Sequence, residues 1–191
     1  METLRTFIAV DIGDDIRAKL DELQRKLKKV HSDVRWSHPK AMHLTLVFLG
    51  DVPTADLNRL TSVIERACRD VEAFELKVHG TGTFGRPGHP RVIWAGIADC
   101  PPLMALQQRI GEALLAANIV FDRKAFSPHL TLGRVKSVDP HTSSLLDKLE
   151  KHGETAFGSI RVSAVELLKS ELTPHGAEYA ALHRIALHQT N

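Results

Sequence analysis

The tetrapeptide His-Leu-Thr-Leu occurs twice, at 43–46 and at 129–132, and the segments around the two copies follow one another in the same order. A chain of this kind is confined to folds that use one unit twice. The first copy opens with "TFIAVDI" (6–12), rich in β-branched residues and read as a strand. Next, "DDIRAKLDELQRKLKKV" places Ile16, Leu20, Leu23, Leu27 and Val30 on one helical stripe, with acids at its start and lysines at its end, as the helix dipole favours. After the "HLTLVFLG" strand, "PTADLNRLTSVIERACRDV" forms a second helix with Leu57, Leu60, Ile64, Ala67 and Val71 inward. Strands "AFELKVHGTG" and "RVIWAGI" follow, joined by the loop "TFGRPGHP".

The second copy replays this. The helix "PPLMALQQRIGEALLAAN" carries Leu103, Leu106, Ile110, Leu114 and Ala117 on one face. The strand "AFSPHLTLGRV", the helix "DPHTSSLLDKLEKH" and two strands, "AFGSIRVSAVELLKSEL" and "GAEYAALHRIALH", complete it around a "TPHG" turn. The interval from His43 to His129 is 86 residues, and that from Ile16 to Leu103 is 87. The predicted architecture is α+β: one domain of two pseudo-symmetric lobes, from repeat units of about 6–97 and 101–188, with antiparallel sheets lining a central cleft and helices outside.

Side chains alternate faces along a strand, so His43 and Thr45 share one face and Met42, Leu44 and Leu46 the other. The same holds for His129 and Thr131 against Leu130 and Leu132. The apolar faces pack under helices, and the polar faces open toward the cleft. Two imidazoles then converge if the lobes are related by a pseudo-two-fold axis. Phosphodiester cleavage needs such a set. One imidazole takes a proton, the other gives one, and both titrate near neutrality. Threonine hydroxyls at strand-fixed positions supply donors for the phosphoryl oxygens. Arg134 offers a guanidinium fork for phosphate. Its odd offset from His129 puts it on the wrong face, so it requires a bend near Gly133.

The chain resembles the 2H phosphoesterases, in particular their RNA 2′,3′-cyclic phosphodiesterase (2′-5′ RNA ligase-like) family. The resemblance rests on "RTFIAVDI", "RWSHPKAMHLTLVFLGDV", "GTFGRPGHPRVIWAGI", "FSPHLTLGRV" and "LLKSELTPHGAEY", and covers nearly the whole chain. It implies hydrolysis of RNA 2′,3′-cyclic ends to 2′-phosphomonoesters without metal or other cofactor. It further implies a proton donor at His43, a proton acceptor at His129, and phosphate contacts from Thr45, Thr131 and Arg134. The same site can join a 5′-hydroxyl to the cyclic phosphate as a 2′-5′ linkage, without ATP. The expected partners are RNA ends bearing the cyclic phosphate, tRNA fragments among them, or cyclic nucleotides.

Other features bound these readings. The net charge of +2 announces no nucleic acid globally, so an anion site must be local. Cys68 and Cys100 lie far apart without a C-x-x-C, and the N-terminal apolar run is too short for a signal or membrane segment. The expectation is a reduced, cytoplasmic monomer. The eleven histidines include His79, His89, His183 and His188, but none shows zinc-ligand spacing, and no metal site is predicted. Phe84, Arg86 and Arg91 can line the cleft, and Trp36 beside Arg35 can stack on a base. Lys26–Lys29 ends a helix and is basic enough to attract RNA. Trp94 and Phe48 are assigned to packing. Two alternatives stay open on the residues. One is a nucleotide or RNA-end binding module with weak or no catalysis, separable by turnover of a cyclic mononucleotide in EDTA. The other is a His-rich metalloprotein, separable by elemental analysis.

Overall fold

The computed structural model describes residues 2–173 and 176–189. Pro174 and His175 of the expected "TPHG" turn lie outside the described residues. The order is β1 (Thr3–Val10), α1 (Gly13–Lys28), β2 (Val34–Trp36), β3 (Leu44–Pro53), α2 (Leu57–Cys68), β4 (Phe74–Arg86) and β5 (His89–Ile97). Then come α3 (Pro101–Ala116), β6 (His129–Val135), α4 (Thr142–Glu150), β7 (Ala156–Val162), β8 (Ala164–Thr173) and β9 (Gly176–Ala186). The fold is α+β, with two antiparallel sheets in the orders β3-β1-β8-β9 and β2-β6-β5-β4-β7.

The helices form where the apolar stripes demand. Ile16, Leu20, Leu23 and Leu27 of α1 are buried, as are Leu60, Ile64 and Ala67 of α2 and Leu103, Leu106, Ile110 and Leu114 of α3. Asp14 and Asp15 stand in the first turn of α1, and Arg25, Lys26 and Lys28 in its last. These stripes and the strand residues Ile8, Val10, Leu44, Leu76, Ile93 and Leu130 join one continuous core. Each fully buried leucine in it contributes about 1.5–3 kcal/mol. Both cysteines are free and buried. Among the described residues, no helix is long and apolar enough to cross a membrane.

Neither sheet is one half of the sequence. β1 and β3 pair with β8 and β9 from the second half, and β4 and β5 sit beside β6 and β7. In each sheet a central strand (β1 or β5) pairs with the strand that follows or carries a motif histidine (β3 or β6). The long segment "AFGSIRVSAVELLKSEL" is accordingly two strands. It breaks at Ser163, where the chain leaves β4 in one sheet and joins β1 in the other. No glycine or proline marks the break, because the pairing partner changes rather than the local conformation. The expected "TFGRPGHP" loop is mostly strand, with only Pro87 and Gly88 in the turn. The short strand β2 lacked a sequence signal, since three residues are too few for a periodicity.

Candidate active site

His43 immediately precedes β3, after a 3-10 turn at Pro39–Ala41, and His129 opens β6. Both are partly buried, as are Thr45 and Thr131, while Leu44, Leu46, Leu130 and Leu132 are buried on the opposite face. The His-x-Thr alternation therefore holds in both strands.

A bulge follows each motif. In the β1–β3 ladder Ala9 opposes Thr45 and Ile8 opposes Val47, leaving Leu46 as the extra residue. In the β5–β6 ladder Trp94 opposes Thr131 and Ile93 opposes Gly133, leaving Leu132 as the extra residue. An extra residue resets which face later side chains take. Leu132 and Gly133 are both buried, and Arg134 emerges exposed on the face of His129 and Thr131. The bend that Arg134 required is this bulge.

The same device corrects the assignment of Phe48. It sits 86 residues before Arg134, opposite Phe7, and is 49% exposed, with its ring 5.9 Å from that of Phe7. Strict alternation would have buried it; the bulge at Leu46 turns it to the histidine face. Trp94 packs, as assigned, but on the opposite face of β5 from the buried Ile93 and Ala95. It is only partly buried, opposes Thr131, and lies 5.5 Å from the Phe84 ring. A Cβ on Gly82 would come within 2.4 Å of the Trp94 indole, so only glycine lets that ring lie flat across β4.

The imidazoles are anchored alike. Nδ1 of His43 hydrogen-bonds the Ala41 carbonyl at 2.9 Å, and Nδ1 of His129 the Ser127 carbonyl at 2.7 Å. Each ring also has an aromatic edge partner, Tyr179 at 4.8 Å for His43 and Phe84 at 4.7 Å for His129. Phe7, buried beneath, lies 4.6 Å from the His43 ring. Burial pushes the His43 pKa down to about 4, with Arg17 adding to the effect and the Ala41 bond opposing it. Burial lowers that of His129 too, aided by Arg134 and opposed by the Ser127 bond. Both rings are thus neutral at pH 7 when no anion is bound.

Arg134 and its cross-strand neighbour Arg35 line two cavities. One, of about 330 Å³, reaches Ala41 and Tyr179 beside His43, and includes Lys28 and Trp36. The other, of about 780 Å³, reaches Phe84 beside His129, and includes Arg91 and Lys136. Arg134 therefore stands between the surroundings of the two histidines. Trp36 packs over Gly133 with Lys28 5.9 Å above its ring, so its face is covered from one side. Arg86 is exposed at the hairpin end.

Tyr179 had no catalytic motif to announce it, although it is the only tyrosine in the chain. Burial raises its pKa, while Arg134, Arg5 and Arg35 lower it, which places three guanidiniums in its surroundings. Among the described residues, no three His, Cys, Asp or Glu side chains form a metal-binding group. His183 instead bonds Glu65 at 2.8 Å, and His79 lies 4.0 Å from Glu154.

The sequence pattern of the 2′-5′ RNA ligase superfamily matches residues 11–174. The chain belongs to this superfamily. It is 34% identical over 92% of its length to the RNA 2′,3′-cyclic phosphodiesterase of Methanothermobacter thermautotrophicus, covering 95% of that protein. It is 35% identical over 94% of its length to the protein of the same name in Archaeoglobus fulgidus, covering 98% of it. A crystal structure from Thermus thermophilus superposes with a TM-score of 0.81 at 29% identity, covering 98% of this chain and all of the other. E. coli LigT complexed with 3′-AMP superposes with a TM-score of 0.77 at 25% identity, again over 98% of this chain and all of the other.

Proposed function

We propose that the protein hydrolyses 2′,3′-cyclic phosphodiesters at RNA ends to 2′-phosphomonoesters by acid–base catalysis between His43 and His129. The observation that carries this reading is the matched anchoring of the two imidazoles. A carbonyl oxygen only accepts, so each bonded Nδ1 bears hydrogen and each Nε2 is left for chemistry. The name shared by the two archaeal relatives, RNA 2′,3′-cyclic phosphodiesterase, supports the substrate class.

In the proposed reaction, Nε2 of His129 takes a proton from water as its oxygen bonds to phosphorus. The P–O3′ bond breaks, and Nε2–H of His43 protonates O3′, leaving phosphate on O2′. One proton enters at His129 and one leaves from His43, so the pair resets by exchange with solvent. Free His43 is neutral at pH 7, and the bound phosphate anion restores its proton by favouring imidazolium. Thr45 and Thr131 hydroxyls and the Arg134 guanidinium hold the phosphoryl oxygens. None of the three side chains has a hydrogen-bond or ion-pair partner among the described residues, so all are available to a ligand. A 5′-hydroxyl in place of water gives a 2′-5′ linkage by the same step, without ATP.

The test is turnover of a nucleoside 2′,3′-cyclic phosphate by the purified protein in EDTA, with the product isomer identified by phosphorus NMR. The 2′-phosphate is expected. A 3′-phosphate product would reject the bond assignment, and binding without turnover would leave a sensor rather than an enzyme.

A further inference from the structure

We infer that the 780 Å³ cavity beyond Arg134 is a second anion subsite, which takes the phosphate 5′ to the terminal nucleotide and so makes an oligoribonucleotide end the preferred substrate. The inference rests on the proposed cyclic phosphodiesterase reaction. The cavity presents Arg35, Arg91, Arg134 and Lys136 and is lined by no acidic side chain. Four cations in one place are far from what a net charge of +2 distributes over 191 residues. Among the described residues, Arg35, Arg91 and Arg134 enter no ion pair, and Lys136 has only a contact with Asp33 at 4.0 Å.

The surplus is what points to a second charge. A cyclic phosphodiester carries one negative charge, which Arg134 with the two threonines can meet. Arg91 and Lys136 have no task in a mononucleotide. Phe84 and Arg134 join the cavity to the surroundings of His129. Phe84 forms one wall, and its ring stands T-shaped to that of His129 at 4.7 Å. Arg134 follows His129 on β6, and Lys136 lies just beyond that strand. At about 3.3 Å per strand residue, Lys136 lies roughly 7 Å beyond Arg134, a step on the scale of one nucleotide unit. Val92, opposite Arg134, gives the floor an apolar spot beside the charges.

The test compares a nucleoside 2′,3′-cyclic phosphate with the same compound carrying a 5′-phosphate, and with a dinucleotide ending in the cyclic phosphate. The wild-type protein should prefer the 5′-phosphorylated compound and the dinucleotide by about fivefold to tenfold in kcat/KM, mainly through KM. Raising salt should erode that preference, with a log–log slope steeper by about 0.7 for each added phosphate contact. Arg91→Ala and Lys136→Ala should reduce the preference and the extra slope while leaving the mononucleotide reaction unchanged. Equal kcat/KM for all three compounds in the wild type would overturn the subsite while leaving the hydrolase reading intact. An equal loss on all three in the variants would also overturn it, by assigning those cations to the mononucleotide or to the fold. Absence of turnover on every compound would reject the hydrolase reading and the subsite together.

Discussion

His43 and His129 are held by the same hydrogen bond, each ring giving Nδ1–H to the carbonyl two residues earlier, Ala41 and Ser127 respectively. The bond fixes tautomer and orientation together, and does so before any substrate arrives. His43→Ala and His129→Ala should each lower kcat by roughly two or more decades, the usual worth of a general acid or base. Circular dichroism should show folded variants, because both rings lie on the partly open face. Near-normal kcat in either folded variant would exclude that histidine from the chemistry.

The roles separate with a substrate whose leaving group needs no proton, such as an activated aryl phosphodiester. His43→Ala should then be largely rescued, while His129→Ala stays impaired because water must still be activated. The opposite pattern would exchange donor and acceptor. Equal rescue would mean that both rings serve mainly to bind phosphate.

The pH profiles follow from burial. The productive state has a protonated His43 and a neutral His129, yet both free imidazoles sit below the ordinary value near 6.5, His43 at about 4. The kcat/KM profile reports the free pair and should be a bell with its optimum acid of about pH 6.5. The kcat profile should be displaced to higher pH, since the bound anion favours imidazolium. Measuring both on a cyclic mononucleotide checks this. A kcat/KM bell centred above about pH 6.5 would contradict the burial of the free rings.

Stability should respond to the same shift. His43 has a folded pKa of about 4, below its unfolded value near 6.5, so between these values the unfolded chain binds more protons. Its contribution is intact above about pH 6.5, falls as pH drops through that window, and levels off below about 4. The full loss is about 3 kcal/mol. Urea unfolding of wild type and His43→Gln should show a stability difference that changes by up to this amount between about pH 7 and pH 4. A pH-independent difference would mean that His43 titrates normally.

Much of the fold was readable because it rests on periodicities that local sequence obeys. The helix stripes of Ile16 to Leu27 and Leu103 to Leu114 and the His-x-Thr alternation needed no tertiary information. What escaped depended on pairing. Whether a strand continues past Ser163 is decided by whether β4 or β1 lies beside it. Phe48 was misassigned because parity counting assumes an unbroken ladder, and the bulges at Leu46 and Leu132 are set by β1 and β5. Arg134 shows the converse. Its demand for a bend near Gly133 was a chemical requirement, and it located the second bulge. Tyr179 lay beyond reach since β9 comes near His43 only through the β1–β8 pairing that joins the two halves.

The bulge in β6 has its own brace, which yields the last prediction. Gln24, fully buried on α1, donates from Nε2 to the Leu132 carbonyl at 2.6 Å and the Ser37 carbonyl at 2.8 Å. The Ser37 N–H donates to the same Leu132 carbonyl at 2.9 Å. Leu132 is the extra residue of the β5–β6 ladder, and its carbonyl, on the β2 side of β6, is satisfied by these two donors. Gln24→Met keeps volume and removes one donor. It should cost about 1–3 kcal/mol, as expected for a buried hydrogen bond lost. Arg134 lies two residues beyond the bulge, whereas the anchors of His43 and His129, at Ala41 and Ser127, do not involve Gln24. The variant should therefore raise KM for a cyclic nucleotide severalfold, change kcat less, and leave the pH limbs in place. Kinetics well below the variant's melting temperature separate this from general destabilisation. A lower melting temperature with KM and kcat both unchanged would show that Gln24 supports the fold without positioning Arg134.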